Sequence, residues 1–128
     1  MAIYLLDTSV IIDALNGKRG RWQLLKALVE SGETLACSAM TVMEIYAGLR
    51  PHESAMTQAF MDGLEHYTVD RELGRYAGLL KNEWAKQGRT LSAPDVVIAA
   101  TALIHKLVLM TDNRKDFPMS QLALYPLS

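Results

Sequence analysis

Five acidic residues stand where a chain of this kind can build chemistry. Asp7 follows the apolar run Ile3-Tyr4-Leu5-Leu6, and Glu44 lies inside the apolar stretch from Met40 to Ala47. Asp95 follows Ser92-Ala93-Pro94, while Asp112 and Asp116 follow Leu107-Val108-Leu109-Met110. Carboxylates brought into one cleft repel one another. They stay ionised together only when cations neutralise them. Mg²⁺ and Mn²⁺ are hard ions that prefer such oxygen ligands. Two of them side by side activate water and stabilise the attacking and leaving oxygens of a phosphodiester. That chemistry needs no histidine or cysteine cluster, and the sequence offers none.

Each acid also has an ordinary role that spacing alone leaves open. Asp7 can cap the helix that follows it. Asp95 can be the partner of Ser92 in a capping box. Glu44 can sit on a solvated helix face, Asp112-Asn113 can be a turn, and Asp116 can be an exposed loop acid. What joins them is their placement around one edge of a sheet.

The elements that must do this placing follow from the apolar pattern. Ile3–Leu6, Thr34–Cys37, Tyr67–Val69 and Leu107–Met110 are short apolar runs of the kind that form buried strands, with Leu122–Tyr125 as a fifth, edge candidate. Helical periodicity runs through Val10–Leu15, Trp22–Glu30, Ala39–Arg50, Glu53–Leu64, Arg71–Lys86 and from Ala93 to about Lys106. Strands alternating with helices predict a mostly parallel sheet of four to five strands between two helical layers, a three-layer α/β/α fold. Ligands of such sheets bind outside the carboxyl ends of the strands. Asp7, Asp112 and Asp116 fall there directly, and Asp95 is one crossover away.

Length and composition bound the rest. The 128 residues are half hydrophobic, predicting one domain over residues 1–128 with a substantial core. The net charge of −1 carries no global nucleic-acid signature, so any such contact must be local. The single cysteine, Cys37, excludes an internal disulfide and multi-cysteine zinc sites, and it reads as a buried small residue. The start Met1-Ala2-Ile3-Tyr4 has no basic leader, and no apolar run approaches membrane-spanning length. No membrane contact and a reducing cytoplasm are the expectation.

At four segments the chain resembles the PIN-domain family, specifically the VapC-type toxins of VapBC toxin–antitoxin systems. They are Leu6-Asp7-Thr8-Ser9-Val10-Ile11-Ile12, Ser38 to Leu49 around Val42-Met43-Glu44-Ile45, Ala93 to Ala100 around Pro94-Asp95, and Leu109-Met110-Thr111-Asp112-Asn113-Arg114-Lys115-Asp116-Phe117. Each is weak alone; their order and spacing along nearly the whole chain are specific. The resemblance implies Mg²⁺- or Mn²⁺-dependent endoribonuclease activity, with metal-activated water cleaving RNA to leave 5′-phosphate and 3′-hydroxyl ends. It carries the family's acids onto Asp7, Glu44, Asp95 and, at the fourth position, Asp116 rather than its neighbour Asp112. Thr8 or Ser9, Thr111 and Asn113 match residues that support those carboxylates.

The resemblance also implies a homodimer and a VapB-like antitoxin that blocks the site. The helix carrying Met56, Phe60, Met61 and Leu64 is a candidate groove for such a partner or part of the core. For RNA phosphates the candidates are Lys18, Arg19 and Arg21, then Lys86 and Arg89, then Arg114 and Lys115. Trp22 and Trp84 occupy apolar helical positions, where packing outweighs base stacking. Two other readings stand beside the toxin: an RNA-processing nuclease of the same fold, and a non-catalytic α/β module. A phosphoacceptor receiver needs an acid pair after the first strand, and Leu6-Asp7-Thr8 has only one.

Overall fold

The computed structural model describes residues 2–128. The elements run β1 (Ile3–Leu6), α1 (Thr8–Leu15), α2 (Arg21–Glu30), β2 (Thr34–Ser38), α3 (Ala39–Ala47), α4 (Ser54–Asp62), β3 (Glu65–Tyr67), α5 (Arg71–Lys86), α6 (Ala93–His105), β4 (Val108–Met110) and β5 (Ala123–Leu124). Two 3₁₀ turns, Pro51–Glu53 and Arg114–Asp116, precede α4 and follow β4.

The five strands pair in the order β3-β2-β1-β4-β5, all parallel. The chain leaves β1 toward β2 on one side and returns to β4 on the other. The gap between the ends of β1 and β4 is therefore the topological switch point, where open α/β sheets bind ligands. Register places Leu6 beside Met110 there, and the Asp7 amide closes the junction by donating to the Met110 carbonyl at 2.9 Å.

Strand alternation divides the core. Leu5, Ala36 and Leu109 face α5 and α6, where they meet Leu73, Ala77, Val96 and the small residues Ala99, Ala100 and Ala102. Leu6, Leu35, Cys37 and Met110 face the other layer: Val10, Ile11, Ala14, Leu25, Ile45 and Met61. Cys37 is fully buried, and burial pushes its thiol up to about 11, in keeping with a packing role.

The structure departs from expectation at element ends. Helix α3 stops at Ala47 rather than Arg50, because Gly48 caps it and Pro51 begins a 3₁₀ turn. The third strand is Glu65–Tyr67 rather than Tyr67–Val69, pairing Ala36 with Glu65 and Ser38 with Tyr67. An edge strand needs little apolar character, which is why Glu65 and His66 hid it. Met61 and Leu64 are core residues, so only Met56 and part of Phe60 remain for a partner. Trp84 packs against the α5–α6 core, whereas Trp22 stays 42% exposed beside Phe60. Among the described residues no helix is long and apolar enough to cross a membrane.

Candidate active site

Asp7 is the N-cap of α1, and its Oδ1 accepts from the Thr8 amide at 2.9 Å. Its Oδ2 accepts from the Thr111 hydroxyl at 2.7 Å, so the ends of β1 and β4 meet on one carboxylate. Ser9 Oγ stands at 3.5 Å, too far for more than a weak bond. The Asn113 amide donates to Thr111 Oγ1 at 3.0 Å, so Asn113 supports the site through its backbone while its side chain is exposed.

Glu44 is half-buried, not on the open helix face. Thr8 Oγ1 donates to Glu44 Oε1 at 2.7 Å, with Thr41 Oγ1 3.1 Å from the same hydroxyl. Thr8 thus ties the first acid's helix to the second acid. Thr41 was missed in the sequence, although it lies three residues before Glu44 and so shares its face.

Asp95 lies in the first turn of α6, where Ser92 Oγ caps the Asp95 amide at 3.2 Å. Asp7 and Asp95 both stand at helix N-termini, whose positive ends favour carboxylates. Asp116 ends the 3₁₀ turn after β4, on the Asp95 side.

Electrostatics shows the convergence. Burial is the main force raising the Asp7 carboxyl above the usual carboxylate range; the Thr111 and Thr8 hydrogen bonds oppose it, and the charges of Asp95 and Glu44 add to it. Burial also raises Asp95, opposed by Ser92 and reinforced by Asp116 and Glu44. Carboxylates from four separate segments are thus linked pairwise: Asp7 with Asp95 and Glu44, and Asp95 with Glu44 and Asp116. Among the described residues, no lysine, arginine or histidine forms an ion pair with any of the four.

Asp112 behaves differently. Its Oδ1 accepts from Arg21 Nη2 at 2.6 Å, whereas Asp116 has no ion pair among the described residues. Arg21 is itself buried, so it is not the free phosphate contact the sequence offered. Arg19 is exposed, with loose 3.7 Å contacts to Asp13 and Asp112. Arg89 donates to the Lys115 carbonyl, which gathers Arg89, Arg114 and Lys115 beside Asp116.

An acidic set with no protein cation fits a hard divalent ion. Among the described residues no three His, Cys, Asp or Glu side chains form a ready metal-holding group. An open ring suits Mg²⁺, which takes one or two carboxylates and keeps several waters. A cavity of about 630 Å³ lies elsewhere, between α5 and α6, and none of the four acids lines it.

Comparison with known proteins agrees with this architecture. The family model described as PIN domain matches residues 4–119. The chain belongs to the PIN-domain family. This PIN domain is 33% identical over 115 residues to ribonuclease VapC19 of Mycobacterium tuberculosis, covering 90% of this chain and 92% of the relative. Its structure is similar to a toxin–antitoxin complex from Klebsiella pneumoniae, with TM-score 0.80, 28% identity and 98% of each chain covered. It also shares its fold with VapBC2 of Rickettsia felis bound to promoter DNA, at TM-score 0.84, 24% identity and coverage of 96% and 97%. The three-layer fold expected from the sequence is thus the fold of this PIN domain.

Proposed function

We propose that this PIN domain is a Mg²⁺- or Mn²⁺-dependent endoribonuclease and the toxin of a type II toxin–antitoxin pair. One observation carries the reading: Asp95 and Glu44 act on the Asp7 carboxyl and Asp116 acts on Asp95, and among the described residues none of the four pairs with a protein cation. The relatives named as ribonucleases and solved as toxin–antitoxin complexes support it.

Asp7 and Asp95 are the residues that would hold the main ion, with Glu44 and Asp116 completing the ring. A divalent ion there supplies Lewis-acid polarisation of a phosphoryl oxygen and lowers the pKa of water. The chain's own residues do the positioning. Thr111 and the Thr8 amide hold the two Asp7 oxygens in fixed directions, and the Thr8 hydroxyl holds Glu44. Arg89, Arg114 and Lys115, with Arg19 farther round, supply the positive rim on which RNA phosphates would rest. The free, buried Cys37 is compatible with a reducing cytoplasm.

For the VapB-like antitoxin, the site offers a cleft of about 190 Å³ running from Glu44 past Ile12, Leu15, Leu49 and Met56. An apolar segment seated there would cover Glu44. For the homodimer, the outer face of α5 is self-complementary. Leu79 is 50% exposed and Ile104 beside it 38%. Arg75 and Glu83 lie four residues either side of Leu79, and Glu72 and Lys86 seven either side. A two-fold antiparallel pairing of α5 centred on Leu79 sets each of these charges against its opposite. Leu79→Arg is expected to convert the dimer to a monomer in light scattering; an unchanged mass would place the contact elsewhere.

The test of function is cleavage of labelled total RNA by the purified protein with Mg²⁺, with Mn²⁺ and with EDTA, beside Glu44→Gln. Discrete fragments that need the metal and disappear in the variant are the expected result. Absence of cleavage by antitoxin-free protein, or equal cleavage by the variant, overturns the nuclease reading.

A further inference from the structure

Arg21 opens α2, and its guanidinium is almost fully enclosed, with 5% of the side chain exposed. Nη2 donates to Asp112 Oδ1 at 2.6 Å and to the Ser128 carbonyl at 3.2 Å. Nη1 donates to the Arg19 carbonyl at 3.3 Å, across a turn in which Arg19 and Gly20 both have positive φ, 57° and 67°. Among the described residues, Arg21 Nε and Asp112 Oδ2 are buried without a hydrogen-bond partner.

Stability alone does not account for this arrangement. A buried ion pair is often no better than a well-packed apolar pair of the same size. Unpartnered buried polar atoms add a further penalty, and Arg19, a non-glycine residue in the left-handed region, adds backbone strain.

Its place in the chain does. Asp112 directly follows Thr111, whose hydroxyl holds Asp7, and precedes Asp116 by four residues. Among the described residues, the segment between them has one short 3₁₀ turn and no strand partner of its own. We infer that Arg21 is a positioning residue: by gripping Asp112 it fixes the Thr111–Asp116 segment, and with it both the hydroxyl on Asp7 and the fourth carboxylate. The grip also keeps the Asp112 charge engaged outside the acidic ring. Arg is suited to this because its fork reaches three oxygens at once, which a lysine ammonium on a flexible stem does less well.

The inference rests on the nuclease reading but has a readout of its own: binding of Mn²⁺ alone, measured by calorimetry, beside cleavage of labelled total RNA. Arg21→Gln is expected to weaken Mn²⁺ binding about tenfold, the usual cost of losing a residue that orients metal ligands. Arg21→Lys recovers part of that loss. In an Asp116→Asn background the same Arg21→Gln change has a smaller effect than in the wild type, because only the Thr111–Asp7 arm is left to lose and coupled residues are not additive. Should Arg21→Gln fail to fold, Asp112→Asn removes the same grip with a near-isosteric side chain. Unchanged Mn²⁺ affinity in folded Arg21→Gln or Asp112→Asn, or full additivity with Asp116→Asn, overturns the inference. A wild type that binds Mn²⁺ without cleaving RNA, with Arg21→Gln still weakening that binding, overturns the nuclease reading and leaves the positioning role standing. A wild type that binds no Mn²⁺ overturns both.

Discussion

Asp7→Asn is expected to slow RNA cleavage about a thousandfold while raising the melting temperature of the metal-free protein. Only 6% of Asp7 is exposed, and burial raises its carboxyl above the usual range, with Asp95 and Glu44 adding to the effect. A carboxyl whose pKa is higher folded than unfolded contributes stability in acid, below its unfolded value. That contribution is lost as pH rises through the folded value. At neutral pH the ionised Asp7 is therefore a cost, and a neutral residue of the same shape relieves it. Asn retains the cap, since it ranks with Asp at that position. Its Oδ1 can accept from Thr8, and its amide can donate to Thr111 Oγ1. A gain of about 1 kcal/mol, or roughly 4 °C, is in the range seen when a functional residue is neutralised.

Cleavage should fall by about a thousandfold, equivalent to ~4 kcal/mol of transition-state stabilisation. Mn²⁺ completes the contrast, because an ion that binds only the folded state raises the melting temperature. The wild type should gain from it and Asp7→Asn should gain little. A variant that melts lower and still cuts RNA would make Asp7 a helix cap and nothing more.

Much of the candidate site was legible because three of its acids, Asp7, Asp95 and Asp116, sit at element ends, where sequence speaks most plainly. Asp7 interrupts an apolar run, Asp95 follows a Ser-x-Pro helix start, and the parallel sheet follows from alternating strands and helices. The engagement of Asp112 was not legible from local pattern, because its partner Arg21 lies 91 residues away in the chain. Nothing near Arg21 marks it as buried; it reads as one of several basic residues in a loop. Glu44 was ambiguous for a related reason. Its partner, the Thr8 hydroxyl, comes from another helix 36 residues earlier, so helical periodicity could not separate a held carboxylate from a solvated one. Strand β3 was displaced by two residues because an edge strand is selected by backbone pairing more than by apolar content.

Thr111→Val probes the same carboxylate from the other side and should give the opposite sign in stability. Valine fills the space of threonine, so no cavity opens, and Thr111 is 1% exposed. What disappears is a hydroxyl that donates to Asp7 Oδ2 at 2.7 Å and accepts from the Asn113 amide at 3.0 Å. Loss of a hydrogen bond to a buried charge costs about 2–3 kcal/mol, to be read as a lower denaturation midpoint at neutral pH. The Thr111 hydrogen bond is the largest influence holding the Asp7 carboxyl down against burial. Without it the folded pKa rises further above the unfolded one, so the extra stability loss develops as pH climbs through that interval. In acid, with Asp7 protonated in both proteins, the deficit contracts. Cleavage should follow the same group: about tenfold or more slower at neutral pH, with its acid limb displaced to higher pH and part of the rate recovered there. Thr111→Ser, which retains the hydroxyl, should keep the wild-type limb even if it packs less well. A valine variant that is merely less stable, with an unmoved pH profile, would show that Thr111 serves the fold and that Asp7 is held in its working state by something else.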